Sequence, residues 1–363
     1  MNQDQTQKLD GIFESTVRSK KIQSASLRIE SGDGSFVWTG TYGCTAARGT
    51  PIKTDTPYFT ASATKTFTAV AILMLHERGK LEIADSFVEY LPQLNLENLH
   101  RWKGQDRTRE IRIFQLLDHT SGLPDYFEQG GTGSSSLLRS ILDDGDRDWD
   151  LDFVLERTRE MKPPFPPAPD EGNGRAHYSD TNYQLLGAIL ESVTGSSMEQ
   201  ALSELIFQPL GLKNTYLYGR DHTSLDRPQP AQFLFKDRWL DIPRAMESFR
   251  TDGSLVSVPQ EQIHFLRALM QGQLVSDRTL QSMQHWNSLF FPFKYGYGLM
   301  LYQLPRIFSP FKPLPGFIGH SGASGAINYY CADLDLYVAG TVNQLAYRSL
   351  AFQWMSRISS VLS

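Results

Sequence analysis

Apolar and polar positions change their period along the chain, and each change marks an element. Residues 9–19 carry a short helical pattern. Residues 24–30 and 35–42 read as strands, and Ser31-Gly32-Asp33-Gly34 between them is a hairpin turn signal. After Pro57-Tyr58-Phe59-Thr60 the period lengthens. Phe67, Val70, Ala71, Met74 and Leu75 recur at three- and four-residue steps, which predicts an amphipathic helix closed by Gly79. Helical patterns follow over 113–117, 137–142, 182–193, 197–207 and 259–270, where strand signals are scarce. Strands return over 298–302, 325–331 and 336–342, ahead of a closing helix over 345–361. The economical arrangement is a mixed sheet built from both chain ends with a helical region inserted between them. Residues 1–60 and 290–363 then form the sheet region and 61–289 the mainly helical one.

Punctuation supports this outline. Residues 162–169 hold five prolines and must be an extended connector. Residues 130–136, Gly-Gly-Thr-Gly-Ser-Ser-Ser, read as a flexible loop, and no internal repeat is visible. With 363 residues, 40% hydrophobic and 12% aromatic, the chain can bury a large core. A formal net charge of −5 offers no basic excess, so nucleic acid is a poor partner. The polar start Met1-Asn2-Gln3-Asp4-Gln5 lacks the apolar core of a secretory signal, and no stretch reaches membrane-spanning length. A cytoplasmic location is the expectation. Cys44 and Cys331 match no metal spacing or redox pair and read as small buried hydrophobes.

Candidate chemistry begins at Ser62-Ala63-Thr64-Lys65, where an extended segment gives way to a helix. A three-residue step stacks the two side chains on one face. Serine needs a base to remove its proton, and a partly desolvated lysine can be neutral enough to serve. Backbone N–H groups at a helix start favour negative charge developing there. The pattern alone is weak, because Ser309-Pro310-Phe311-Lys312 repeats it, although Pro313 and Pro315 deny that copy a helix. Taken singly, Ser62 reads as well as a helix-capping serine. A second element, Tyr178-Ser179-Asp180, precedes a helix, and a tyrosine beside a lysine can take a proton from serine and return it to a leaving group. Its plain alternative is a half-buried tyrosine with a capping Asp180. The third, His320-Ser321-Gly322, is expected at a strand start, among glycines that let a ligand approach the strand edge.

Together and in this order, the three segments resemble the signature motifs of class C β-lactamases, D-alanyl-D-alanine carboxypeptidases and related esterases. Residues 116–124 (Leu-Leu-Asp-His-Thr-Ser-Gly-Leu-Pro), 178–187 and 253–257 (Gly-Ser-Leu-Val-Ser) resemble the same family, so the similarity spans about residues 10 to 360. The resemblance implies an α+β fold of the β-lactamase/transpeptidase kind, with an antiparallel five-stranded-type sheet flanked by helices plus a helical insertion. The active site would lie at the interface of the two regions. It further implies that Ser62 is acylated and that Lys65 and Tyr178 share the acid and base duties. Backbone N–H groups of Ser62 and Ala323 would form the oxyanion hole, and Asp180, His320, Ser321 and Gly322 would bind substrate. The substrate would be an ester, a β-lactam or a D-amino-acid peptide, with no metal or organic cofactor. Oligomeric state is not legible. His119, before a glycine turn, is read as structural.

Two positions depart from the family pattern. Asp180 stands where many members carry Asn, exchanging a donor for an acceptor, so it either shares a proton with Lys65 or favours a cationic or donor group on the substrate. His320 stands in place of lysine, which points toward peptidases and esterases and away from efficient antibiotic hydrolysis. Alternatives are a β-lactamase with weak antibiotic turnover and a non-catalytic penicillin- or peptide-binding scaffold; the intact Ser62, Lys65 and Tyr178 speak against the scaffold. Gly319-His320-Ser321-Gly322-Ala323 also resembles the nucleophile elbow of α/β-hydrolases, but no histidine follows Ser321 to complete that triad. Asp144, Asp146 and Asp148 mimic a calcium loop whose glycine position holds Trp149, and they read instead as a solvated acidic loop.

Overall fold

Eight strands form one sheet in the order Asn287–Ser288, Phe293–Tyr295, Met300–Tyr302, Phe317–Ser321, Ala326–Cys331, Leu336–Thr341, Ser24–Ser31 and Val37–Gly43. This computed structural model describes all residues except 1–2, 20, 131–134, 170–173, 220–227, 306, 308–313 and 363. Every neighbouring pair in the sheet is antiparallel, so the mixed sheet expected from periodicity is corrected. Strands from the two ends of the chain meet near one edge of the sheet, where Ser24–Ser31 pairs with Leu336–Thr341 from Ser26 opposite Thr341 to Ser31 opposite Leu336. The fold is of the β-lactamase/transpeptidase kind, enlarged beyond five strands by short strands at 287–302. The first two of those strands are two and three residues long, too short to show a period, while Met300–Tyr302 falls within the strand expected over 298–302.

Helices cover both faces. On one side Gln3–Val17 and Leu350–Leu362 pack together, bringing Leu9, Phe13, Trp354 and Met355 against Ile29, Tyr329 and Val338. On the other lies Pro259–Met270, whose burial of Ile263, Phe265, Leu266 and Leu269 connects the sheet to the helical region. Leu336–Thr341, covered on both faces, is buried at every position.

The centre of the helical region is Thr64–Glu77. It was expected to be amphipathic, yet every residue from Thr64 to Leu75 is buried, the mark of a helix surrounded by protein. Its threonines are satisfied across element boundaries: Thr66 Oγ1 donates to the Gly298 carbonyl at 2.7 Å and Thr68 Oγ1 to that of Thr251 at 2.8 Å. A small sheet of Tyr58–Phe59, Leu255–Ser257 and Tyr216–Leu217 braces the entry to this helix.

Other expectations meet the structure unevenly. Residues 161–169 contain no regular element, as the prolines require, and Ala168 is tied to Thr120 and Gln115. Leu151–Glu160 and Pro243–Phe249 are helices that the pattern had not marked. Asp146 is no calcium ligand; its carboxylate accepts the Arg244 and Ala245 N–H groups at 2.9 Å each and caps the second of these helices. Among the described residues no cluster of three or more metal-ligating side chains occurs, and no helix is long and apolar enough to cross a membrane. Cys331 is buried in the sheet, Cys44 is half-buried, and both are free thiols. The loop at 130–136 and the second Ser-x-x-Lys at 309–312 fall largely or wholly outside the described residues.

Candidate active site

Ser62 sits in a 3₁₀ turn, Ala61–Ala63, that runs directly into the buried helix. Ala61 adopts φ 47°, a left-handed conformation uncommon for a residue with a Cβ. Neighbours hold it there. Thr64 Oγ1 donates to the Ala61 carbonyl at 2.7 Å, and Thr60 N–H donates to the Leu255 carbonyl at 2.8 Å. One helical turn on, Lys65 is fully buried and its Nζ lies 3.2 Å from Ser62 Oγ, 2.5 Å from the Asp252 carbonyl and 2.8 Å from Asp180 Oδ1. The first two contacts are hydrogen bonds and the third is an ion pair.

The Tyr178 phenol completes the group, near enough to the Ser62 and Lys65 side chains for both to favour its ionised form, with Lys65 Nζ 5.2 Å from its ring centre. Tyr178 is positioned by residues 118–126. His119 is wholly buried with φ 62°, and its ring lies 4.5 Å from that of Tyr178. His119 Nδ1 accepts from Ser179 N–H at 3.2 Å and from Asn182 Nδ2 at 2.9 Å, while its carbonyl accepts His177 N–H at 2.9 Å. Ser179 and Thr181 hydroxyls both donate to the Pro124 carbonyl at 2.8 Å. The structural reading of His119 thus becomes specific. It orients the segment that carries the phenol.

Electrostatics revise one expectation. Burial works against the Lys65 ammonium, but its acidic neighbours, Asp180 first and then Tyr178 and Asp252, outweigh it and hold the amine above the ordinary lysine range. The neutral lysine expected from desolvation is therefore not the resting form. Burial also lifts Tyr178 above the ordinary phenol range, with the Lys65 charge pulling the other way. Burial likewise raises Asp180, against the pull of Lys65.

His320 ends the Phe317–Ser321 strand rather than starting one. It is 1% exposed, its Nδ1 donates to the Ser321 carbonyl at 2.8 Å, and its Nε2 accepts from Tyr295 Oη at 2.9 Å. Burial, followed by the nearby Lys65 charge, depresses it to about 3. A neutral imidazole with both nitrogens occupied offers a substrate carboxylate no positive charge. Gly322 follows, and a Cβ there would stand 2.3 Å from the Thr60 carbonyl and 2.9 Å from Ala61 Cβ. Its missing side chain is what lets the strand end reach the nucleophile turn. Ser324 Oγ contacts the Phe59 carbonyl at 3.4 Å, so Ala323 lies between two residues that touch 59–61, and its N–H has no acceptor among the described residues. Ser321 is half-buried, its hydroxyl directed to Met300 Sδ at 3.6 Å and to Tyr329.

Of the predicted residues, Ser62, Lys65, Tyr178 and Asp180 converge in one cluster. Gly322 and Ala323 approach it from the sheet, and His320 and Ser321 stand behind it. Residues that periodicity did not reveal are Asp125, Tyr126, Gln184 and Asp252, which surround the Lys65–Asp180 pair. The family-like stretch 178–187 contains Gln184, and those at 116–124 and 253–257 adjoin the other three.

Similar proteins present a consistent picture. The chain is 25% identical over 345 residues to Penicillin-binding protein 4* of Bacillus subtilis (strain 168), covering 87% of this chain and 68% of that protein. It is 31% identical over 210 residues to Esterase EstB of Burkholderia gladioli, which covers 57% of this chain and half of the esterase. Among solved structures, the D-amino acid amidase from Ochrobactrum anthropi SV3 complexed with D-phenylalanine superposes with a TM-score of 0.78 at 20% identity, covering 99% of this chain and 98% of the other. A D-stereospecific amidohydrolase from Streptomyces sp. gives 0.72 at 26% identity, covering 94% of each. The family model described as Beta-lactamase matches residues 9–359, and with the fold and the converging motifs this places the chain in the Beta-lactamase family.

Proposed function

We propose that the protein hydrolyses ester or amide bonds through an acyl-enzyme formed on Ser62. The observation that carries this reading is the convergence on one hydroxyl: Lys65 Nζ is 3.2 Å from Ser62 Oγ, and the Tyr178 phenol lies beside both side chains, with Lys65 Nζ 5.2 Å from its ring centre. In the reactive form the Tyr178 phenol has first given its proton to water and is stabilised as phenolate by the Lys65 ammonium; Ser62 Oγ then attacks the carbonyl carbon and its proton passes to the Tyr178 oxygen. The tetrahedral oxyanion is met by the N–H groups of Ser62 and Ala323. Collapse breaks the bond to the leaving group, which takes the proton from Tyr178, and water then releases the acid by the same steps in reverse.

The substrate is an uncharged or cationic acyl compound rather than a β-lactam. His320 is neutral, and the Lys65 ammonium is already matched by the buried Asp180 it pairs with, so a carboxylate-bearing antibiotic gains little near Ser62. The esterase and amidase names among similar proteins support this choice. Turnover of a chromogenic ester and a D-amino-acid anilide, with intact-mass detection of the acyl adduct, tests the reading. Ser62→Ala abolishes adduct and turnover, while Tyr178→Phe and Lys65→Ala slow acylation by about 10²–10⁴-fold. Ester turnover undiminished in Ser62→Ala overturns it.

A further inference from the structure

Three buried carboxyl groups, Asp125, Asp180 and Asp252, crowd around one buried cation. Asp125 is committed elsewhere. Its Oδ1 accepts Asp180 N–H at 2.9 Å and Phe127 N–H at 3.4 Å, and its Oδ2 accepts Glu128 N–H at 2.7 Å, so it serves the local turn. Asp180 faces Lys65 at 2.8 Å. Asp252 gives its carbonyl to the same ammonium at 2.5 Å, and its carboxyl is divided. Oδ2 accepts from Tyr126 Oη at 2.9 Å and Gln184 Nε2 at 3.0 Å, whereas Oδ1 is buried with no hydrogen-bond partner among the described residues; Asp180 Oδ1 likewise has no hydrogen bond there, but it has the Lys65 ammonium as its ion-pair partner.

Charge counting makes that arrangement informative. Two ionised carboxyls opposite one ammonium leave a buried negative charge uncompensated, which costs several kcal/mol per ion on the order of magnitude known for buried charges. A proton is the cheaper remedy. Among the described residues nothing else facing the cluster supplies the balance. Tyr126, Tyr178 and Tyr183 are held as neutral phenols, chiefly by burial, and the His119 and His320 rings are held neutral. From the mouth, Glu128 and Arg348 act on Asp180 with opposite signs and pair with each other at 2.9 Å.

We propose that Asp252 is a positioning residue of the active site: it and Asp180 hold one proton between them, resident on Asp252 Oδ1, so that the pair presents a single negative charge to Lys65. That charge keeps the ammonium aimed at Ser62 Oγ, and the inference rests on Ser62, Lys65 and Tyr178 being the catalytic core. Either carboxyl alone suffices as counter-ion, because removing one lets the other ionise. Removing both strips the lysine of its anchor.

Asp180→Asn, Asp252→Asn and the double variant, assayed on a chromogenic ester, test the inference together with infrared spectra at pH 7. The Asp252→Asn change keeps an acceptor for Tyr126 and Gln184. Each single variant is expected to lower kcat about tenfold and to shift the acid limb of the pH–rate profile to higher pH. The double variant is expected to lose at least about a thousandfold, beyond the roughly hundredfold that independent effects would give. Wild type shows a carbonyl-stretch band of an undissociated carboxylic acid that disappears in both single variants. A band untouched by Asp252→Asn, or a double variant equal to the product of the singles, overturns the proposal. Should Asp252→Asn fail to fold, the wild-type band and its loss in Asp180→Asn decide alone. Absence of Ser62-dependent turnover in wild type sinks the hydrolase reading instead, and the infrared comparison still decides the shared proton.

Discussion

Single residues in this site act through the environment that the fold gives them. His320 illustrates the point, since an unperturbed histidine titrates near pH 6.5 and this one is held at about 3 by burial and the Lys65 charge. A depressed folded value means that neutral His320 stabilises the protein fully above about pH 6.5 and that this contribution is lost as pH falls toward 3. His320→Asn removes the linkage along with the bond to Tyr295. The stability gap between wild type and variant should therefore narrow by about 2–3 kcal/mol between about pH 7.5 and 4.5, measured by denaturant titration at each pH. A gap that widens in acid would mean that His320 is charged in the folded state. His119 and Asp252 carry the same lesson without direct chemistry. One orients the phenol and the other anchors the amine.

At the scale of elements, the site is a junction between a helix and a strand end that approach closely only because one position lacks a side chain. Gly322 meets the Thr60 carbonyl where a Cβ would stand 2.3 Å away. Gly322→Ala must push the Phe317–Ser321 strand end away from the nucleophile turn. A displacement of about 1 Å costs about 10²-fold in rate when reacting groups must be aligned. Global stability loses only the overpacking term of about 1–3 kcal/mol. Steady-state kinetics and thermal melts on one preparation check this. Loss of stability with undiminished kcat would place the oxyanion donors elsewhere. The left-handed Ala61 belongs to the same junction, tied by Thr64 and by the small sheet that sets the angle at which chain enters the helix.

Across the whole molecule, the two chain ends close the structure remote from the chemistry. Trp354 is wholly buried and stacks on Phe13 with ring centres 5.7 Å apart, joining the first and last helices beneath the sheet. Trp354→Ala is expected to cost about 3–5 kcal/mol, read as a lower denaturation midpoint, while kcat per folded molecule stays within about twofold. An unchanged midpoint would show that the terminal helices are not part of the cooperative core. The sheet they cover presents Gly322 and Ala323 to the nucleophile turn, so the scaffold and the site are coupled through backbone position rather than through shared side chains.

Local features were legible from the chain by itself. The three-residue step from Ser62 to Lys65, the prolines of 162–169, the hairpin at Ser31–Gly34 and the helix over Pro259–Met270 depend on neighbours close in sequence, and the order of motifs was enough to suggest the family and Tyr178. Short-range pattern fails where burial surrounds an element. Thr64–Glu77 read as amphipathic because its apolar residues recur, yet packing on all sides erased the polar face. The strands at 287–288 and 293–295 are too short to carry a period. Protonation was decided only in three dimensions, since Asp180 and Asp252 lie far apart in the chain and neither spacing nor composition reveals that both face Lys65. The physical reason is that charge states depend on desolvation and on partners brought together by distant loops, quantities that exist only once the core has excluded water.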